Sequence, residues 1–126
     1  MTQRRIPAAF MRGGTSNAHV FYQKDLPTDR KLSDAIFLAA IGSPAPASYG
    51  RQLDGMGEGF TAVSKACVIG PPTRDDADID YTFAQIPTKE QRVEYAANCG
   101  NMSSAMGRFA VDDGLALGRG SSAACA

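Results

Sequence analysis

This sequence has no excess charge of either sign: 13 Lys and Arg residues are matched by 13 Asp and Glu. A basic excess or stripe is what draws a protein to nucleic acid or to a membrane surface, so neither partner is expected. Long apolar runs are also missing, and the stretches present are too short to cross a bilayer. No apolar stretch follows Arg4-Arg5, so the start does not read as a secretory signal and a cytoplasmic setting is expected. Cysteine is sparse. Cys67, Cys99 and Cys125 form an odd set with no Cys-x-x-Cys, which argues against a disulfide framework, a zinc site or any other metal site. Each thiol is then either a small buried apolar group or a reactive one.

What is present suits one folded domain. The chain has 126 residues, 44% of them hydrophobic, enough for a single core and too few for two ordinary domains. Ile6–Met11 and Ala18–Gln23 read as strands joined by Arg12-Gly13-Gly14-Thr15-Ser16, a hairpin with a loop longer than the two-residue kind. Leu32, Ala35, Ile36, Ala39 and Ala40 recur at helical spacing, and Gly42-Ser43-Pro44 ends that helix. Gly55, Gly57 and Gly59 mark an irregular loop that feeds a strand from Thr61 to Ile69. Alternation puts Val63, Lys65, Cys67 and Ile69 on one face of it, odd company for a lysine. Ile79, Tyr81, Phe83 and Gln85 form one face of a further strand, and Arg92–Ala96 is a short one. Met102, Ala105, Met106, Phe109 and Ala110 give a slim helix over 101–112, stopped by Gly114.

Three groups of residues can carry chemistry. Asn98-Cys99-Gly100-Asn101 opens a helix, where unpaired N–H groups and the positive dipole end favour a thiolate or a docked carboxylate. The alternative is a small apolar cysteine beside a capping asparagine. Lys65 is a base near neutral pH if its strand face is buried, and an edge lysine in water if it is not. The glycine-rich loops Arg12–Ser16 and Asp54–Gly59 offer backbone donors to carboxylate or phosphate oxygens, with Arg12 or Arg51 as a clamp; neither has a P-loop or dinucleotide spacing, and both also suit plain turns. His19 could pair with Cys99 as in a thiol hydrolase, against the plainer reading of a structural histidine.

Taken in order, several short runs form a series. They are Met11-Arg12-Gly13-Gly14-Thr15-Ser16, Asp25-Leu26-Pro27, Gly42-Ser43-Pro44 and Gln52-Leu53-Asp54-Gly55-Met56-Gly57. They continue with Ser64-Lys65, Asp80-Tyr81-Thr82-Phe83-Ala84-Gln85 and Asn98-Cys99-Gly100-Asn101-Met102-Ser103-Ser104. From Ile6 to about Leu115 the series resembles the family of methylaconitate cis-trans isomerase, methylitaconate delta-isomerase, aconitate delta-isomerase and oxalomesaconate tautomerase.

The resemblance implies an α+β fold of the diaminopimelate-epimerase type. Two similar domains each wrap β-strands around a central helix, and the substrate sits between them. Residues 1–115 would be the N-terminal isomerase domain, with helix 101–112 at its centre, truncated before the second domain; 116–126 would be a disordered or truncated tail. The resemblance implies no cofactor. The substrate it implies is a small unsaturated di- or tricarboxylate such as aconitate, methylaconitate or methylitaconate. Lys65 and Cys99 match the proton-transfer groups. Ser16, Asn98, Asn101, Ser103 and Ser104 match the carboxylate-binding part, joined by Gly14, Thr15, Asn17, Met56 and Gly100. Two positions depart from the pattern: Asn17-Ala18 follows the Gly-Gly-Thr-Ser turn where many members have lysine, and Glu58 stands where glycine is common. Because half a cleft cannot enclose a substrate, the alternative is an inactive or carboxylate-binding remnant that exposes apolar surface.

Overall fold

The computed structural model describes residues 3–42, 61–87, 90 and 92–115. The Gly55–Gly59 loop with Met56 and the 116–126 tail lie outside the described residues. Four strands form one mixed sheet in the order β1-β2-β3-β4: β1 Ala8–Gly13, β2 Ser16–Tyr22, β3 Lys65–Gly70 and β4 Asp80–Gln85. Among the described residues two α-helices, α1 Arg30–Ile41 and α2 Gly100–Asp112, join the sheet in an α+β fold.

The hairpin is tighter than the sequence suggests. Gly13 pairs with Ser16, leaving only Gly14-Thr15 as the turn. Gly14 takes a left-handed conformation at φ 53, which glycine adopts without strain. The strands run on through Arg12, Gly13, Ser16 and Asn17, whose polar or small side chains hid their strand character. β2 and β3 are parallel neighbours. Parallel strands need a long crossover, and α1 lies within it. β3 and β4 are antiparallel.

Strand alternation divides the core in two. On one face Ala18, Val20, Cys67, Ile69 and Phe83 pack against Met102, Ala105, Met106, Phe109 and Ala110 of α2, the stripe its spacing predicts. On the other, Phe21, Ala66, Ala84 and Ile86 pack against Phe37 and Ile41 of α1. Gly114, at φ 73, ends α2 as expected.

The packing stripe of α1 is not the expected one. Ser33, Phe37 and Ile41 are buried, whereas Leu32 is 52% exposed and Ala35 and Ala39 face water. Phe37 decides this. It is the bulkiest side chain of the helix and meets Phe21 at 5.3 Å between ring centroids. Ser33 tolerates burial because its Oγ donates to the Pro27 carbonyl at 3.1 Å. The Asp29 side chain caps the helix start, accepting from the Lys31 N–H at 2.9 Å.

Two further expectations change. Thr61–Val63 forms a 3-10 turn, so β3 starts at Lys65 and Val63 does not share its face. Arg92–Ala96 forms no full strand but a single bridge between Glu94 and Gln85. The segment is fastened to α1 instead, where Tyr95 donates to Asp34 and Arg30 stacks 4.1 Å from the Tyr95 ring centroid. Exposed large apolar side chains among the described residues are Phe10, Leu32, Val111 and Leu115, spread over β1, α1 and the end of α2. No helix among the described residues is long and apolar enough to cross a membrane.

Candidate active site

Lys65 opens β3 on the face that α2 covers, two residues from Cys67 and four from Ile69. It is 4% exposed. Its Nζ donates to Gln85 Oε1 at 3.1 Å and lies 5.9 Å from the Phe83 ring centroid. Burial lowers its pKa, because an ammonium loses more than an amine on leaving water. The fields of the Cys99 and then the Cys67 thiols act in the opposite direction. The buried-face reading of Lys65 therefore holds over the edge reading. Cys67 is wholly buried, and burial pushes its thiol up to about 12. At neutral pH it is a small apolar group.

Cys99 is the residue before the first turn of α2, with an extended backbone at φ −138 and ψ 110. Its half-buried Sγ lies 3.9 Å from Ser16 Oγ, its acceptor. The surrounding polar groups form one connected set. Asn98 Oδ1 accepts from the Cys99 N–H at 2.8 Å and from Tyr81 OH at 3.1 Å. Tyr81 OH also bonds Ser103 Oγ, which donates back to the Cys99 carbonyl at 3.1 Å. Asn101 Nδ2 donates to Thr15 Oγ1 at 3.1 Å and to Ser16 Oγ at 3.3 Å. The hairpin turn and the start of α2 are thus locked together.

The structure brings Gly14, Thr15, Ser16, Asn98, Cys99, Asn101 and Ser103 into one cluster, with Lys65 within electrostatic reach of Cys99. Gly100 stands at its open side, where an added Cβ would meet nothing within 4 Å. Ser104 is one step around the helix, exposed, and donates to the Asn101 carbonyl at 2.8 Å. Asn17 is not brought in. It alternates with Ser16 and Ala18 and so points to the opposite sheet face, its Oδ1 buried with no hydrogen-bond partner among the described residues. Met56 lies outside the described residues.

His19 also points to the opposite face, edge-on to Phe10 at 5.2 Å between ring centroids. A sheet thus separates it from Cys99, which excludes the thiol-hydrolase pairing. Among the described residues its ring nitrogens make no hydrogen bond of normal geometry, and burial lowers its pKa, countered in part by the Lys65 backbone.

Two site residues were given no role from sequence: Tyr81 and Gln85. The signal was available, since both are polar positions on the same alternating face as buried Ile79 and Phe83. The strand registers decide what they touch. Two clefts, of about 640 and 350 Å³, open at the other end of β2 and β3 around Gln23, Lys24 and Pro71, away from Lys65. No cluster of three or more His, Cys, Asp or Glu suited to a metal occurs among the described residues.

A family model described as PrpF protein matches residues 3–123. The 4-oxalomesaconate tautomerase of Pseudomonas putida is 45% identical over 122 residues, covering 97% of this chain and 33% of that protein. The 2-methyl-aconitate isomerase of Cupriavidus necator is 42% identical over 117 residues, 90% of this chain and 29% of its own length. The 3-methylitaconate isomerase of Eubacterium barkeri is 44% identical over 111 residues, 88% and 28%. A crystal structure of methylitaconate-delta-isomerase superposes with a TM-score of 0.79 at 42% identity, covering 89% of this chain and 48% of that chain. The chain thus spans no more than 33% of the length of these three curated relatives.

Proposed function

Because this chain belongs to the PrpF protein family, we propose that it carries the Lys65–Cys99 half of an isomerase that needs no cofactor and works by proton transfer on a small unsaturated di- or tricarboxylate. The observation that carries the reading is Lys65 itself. It is a buried lysine on the same sheet face as the helix start that holds Cys99. Acid-base catalysis needs groups that change charge near working pH, and burial moves a lysine toward that range.

The chemistry follows from the groups present. Neutral Lys65 Nζ takes a proton from the saturated carbon next to the double bond. The electron pair left behind spreads through the alkene onto the conjugated carboxylate. Backbone N–H groups at Gly100 and Asn101, with the dipole of α2 behind them and the Gly13-Gly14 turn beside them, stabilise that charge. Cys99 Sγ, or the Lys65 ammonium, returns a proton to the far carbon and the double bond moves. Rotation in the delocalised anion before the proton returns to its first carbon gives cis-trans isomerisation instead. Ser16, Asn98, Asn101 and Ser103 orient the carboxylates.

In this reading residues 1–115 form an N-terminal domain, and the substrate is closed over by a second one. The names of two relatives make methylaconitate and methylitaconate acids of choice, and the sequence resemblance adds aconitate. The setting is cytoplasmic, without nucleic acid or membrane partners. The chain spans 33% or less of the length of these three curated relatives, and the second reading of this domain is a carboxylate-binding remnant without turnover.

NMR of the three acids separates the readings. The chain is assayed alone and joined to the C-terminal part of the P. putida relative. Double-bond migration by the joined chain supports the isomerase. No change in any acid by either chain, with both folded, leaves the remnant.

A further inference from the structure

We infer that Gln85 is the positioning residue of Lys65: a neutral acceptor, oriented by the Ser64 carbonyl, that aims the lysine amine without adding charge beside it. The inference rests on the proton-transfer role of Lys65 proposed above.

Register carries the first part. Lys65 pairs with Gln85 across β3 and β4. The Ile86 N–H donates to the Ser64 carbonyl at 3.0 Å, while the Gln85 N–H and carbonyl turn the other way to Glu94 at 2.9 and 2.8 Å. Lys65 and Gln85 are therefore a non-hydrogen-bonded pair of the antiparallel ladder, the kind whose side chains stand closest.

Hydrogen-bond polarity carries the second. Gln85 Nε2 donates to the Ser64 carbonyl at 2.9 Å. A carbonyl only accepts, so the amide nitrogen must face it and Oε1 must face Lys65. One Lys65 N–H is thereby committed to Gln85 at 3.1 Å in both the ammonium and the amine. In the amine this restricts where the lone pair can point.

Charge carries the third. The described titratable groups facing Lys65 are Cys99 at the start of α2 and Cys67 on its own strand; β4 presents Phe83 and Gln85. A carboxylate at position 85 would have nearly the same reach as the amide, but would pair with the ammonium and favour it. Glutamine gives the geometry and leaves the amine able to lose its proton.

The test is a pH titration of the Lys65 Cε and Hε NMR signals in this chain, assigned by their loss in Lys65→Arg. Gln85→Glu is expected to raise the Lys65 midpoint by about one unit or more. Gln85→Met should not raise it, and should collapse the two distinct Hε shifts of a fixed amine toward one averaged shift. An unmoved midpoint in folded Gln85→Glu overturns the inference. So do two distinct Hε shifts retained in Gln85→Met, which decides the matter if the glutamate variant does not fold. In the joined chain Gln85→Glu should move the acid-side limb of kcat/KM, where the base loses its proton, to higher pH, while Gln85→Met lowers kcat more than it changes KM. If the NMR midpoint moves and no chain turns over any of the acids, the positioning of Lys65 stands and the isomerase reading fails.

Discussion

Gly13 and Asn101 are in such close contact that a Cβ on Gly13 would lie 2.0 Å from the Asn101 carbonyl oxygen. The obstacle is helix backbone, with Ala105 Cβ next at 2.9 Å, so no side chain can swing aside. This contact seats the hairpin turn on the start of α2 and lets Asn101 reach Thr15 and Ser16. Gly13→Ala should therefore destabilise the chain by about 1–3 kcal/mol, the usual cost of overpacking. Urea unfolding read by circular dichroism measures it, and a wild-type midpoint would contradict it.

Gly100 has the opposite surroundings. A Cβ there meets nothing within 4 Å, and the position is in the first turn of α2. Gly100→Ala should leave stability unchanged or raise it by up to about 1 kcal/mol through helix propensity. The same methyl would intrude where a substrate carboxylate approaches the N–H groups, so the joined chain should show a raised KM for its acid. Together the two glycine variants separate fold from site: unfolding curves for the first, steady-state kinetics for the second.

The two described cysteines should part company toward an alkylating reagent. Cys99 is half-buried beside Ser16, while Cys67 is wholly buried with its thiol pushed up to about 12. The thiolate is the reactive form, so iodoacetamide at pH 8 should mark Cys99 well before Cys67. Peptide mass spectrometry follows both. Equal rates in the folded chain would mean that this face of the sheet is open.

His19 gives the fold an acid-sensitive element. Burial lowers its pKa below the ordinary 6.5, so from 6.5 down to the folded value the unfolded chain binds the extra proton. Stability is full above pH 6.5 and falls as pH drops through that window. His19→Leu should flatten this slope in unfolding curves taken between pH 7 and pH 5. Because the sheet lies between His19 and Cys99, the variant should keep whatever proton-transfer activity the joined chain has.

Much of this was readable from spacing alone where large side chains set the pattern. Met102, Ala105, Met106, Phe109 and Ala110 are the buried face of α2, and Lys65 shares a buried face with Cys67 and Ile69, as alternation requires. α1 was harder because Ala35, Ala39 and Ala40 bury little on any side, and the face was chosen by Phe37 meeting Phe21 from another element. Asn17 follows Ser16 directly after a motif, but a one-residue step in a strand reverses the face. Gln85 and Tyr81 were visible as polar positions on an apolar face. What they hold is fixed by pairing between distant segments, which no local pattern contains.

In the proposed reaction Lys65 is the base that opens the carbon–hydrogen bond. Solvent deuterium incorporation tests it most directly, with the joined chain in D2O and trans-aconitate, methylaconitate or methylitaconate followed by NMR. The wild-type joined chain should place deuterium in at least one acid, and folded Lys65→Ala should place none above the uncatalysed rate. Undiminished exchange in Lys65→Ala, or no exchange with any of the three acids in the wild type, would contradict it.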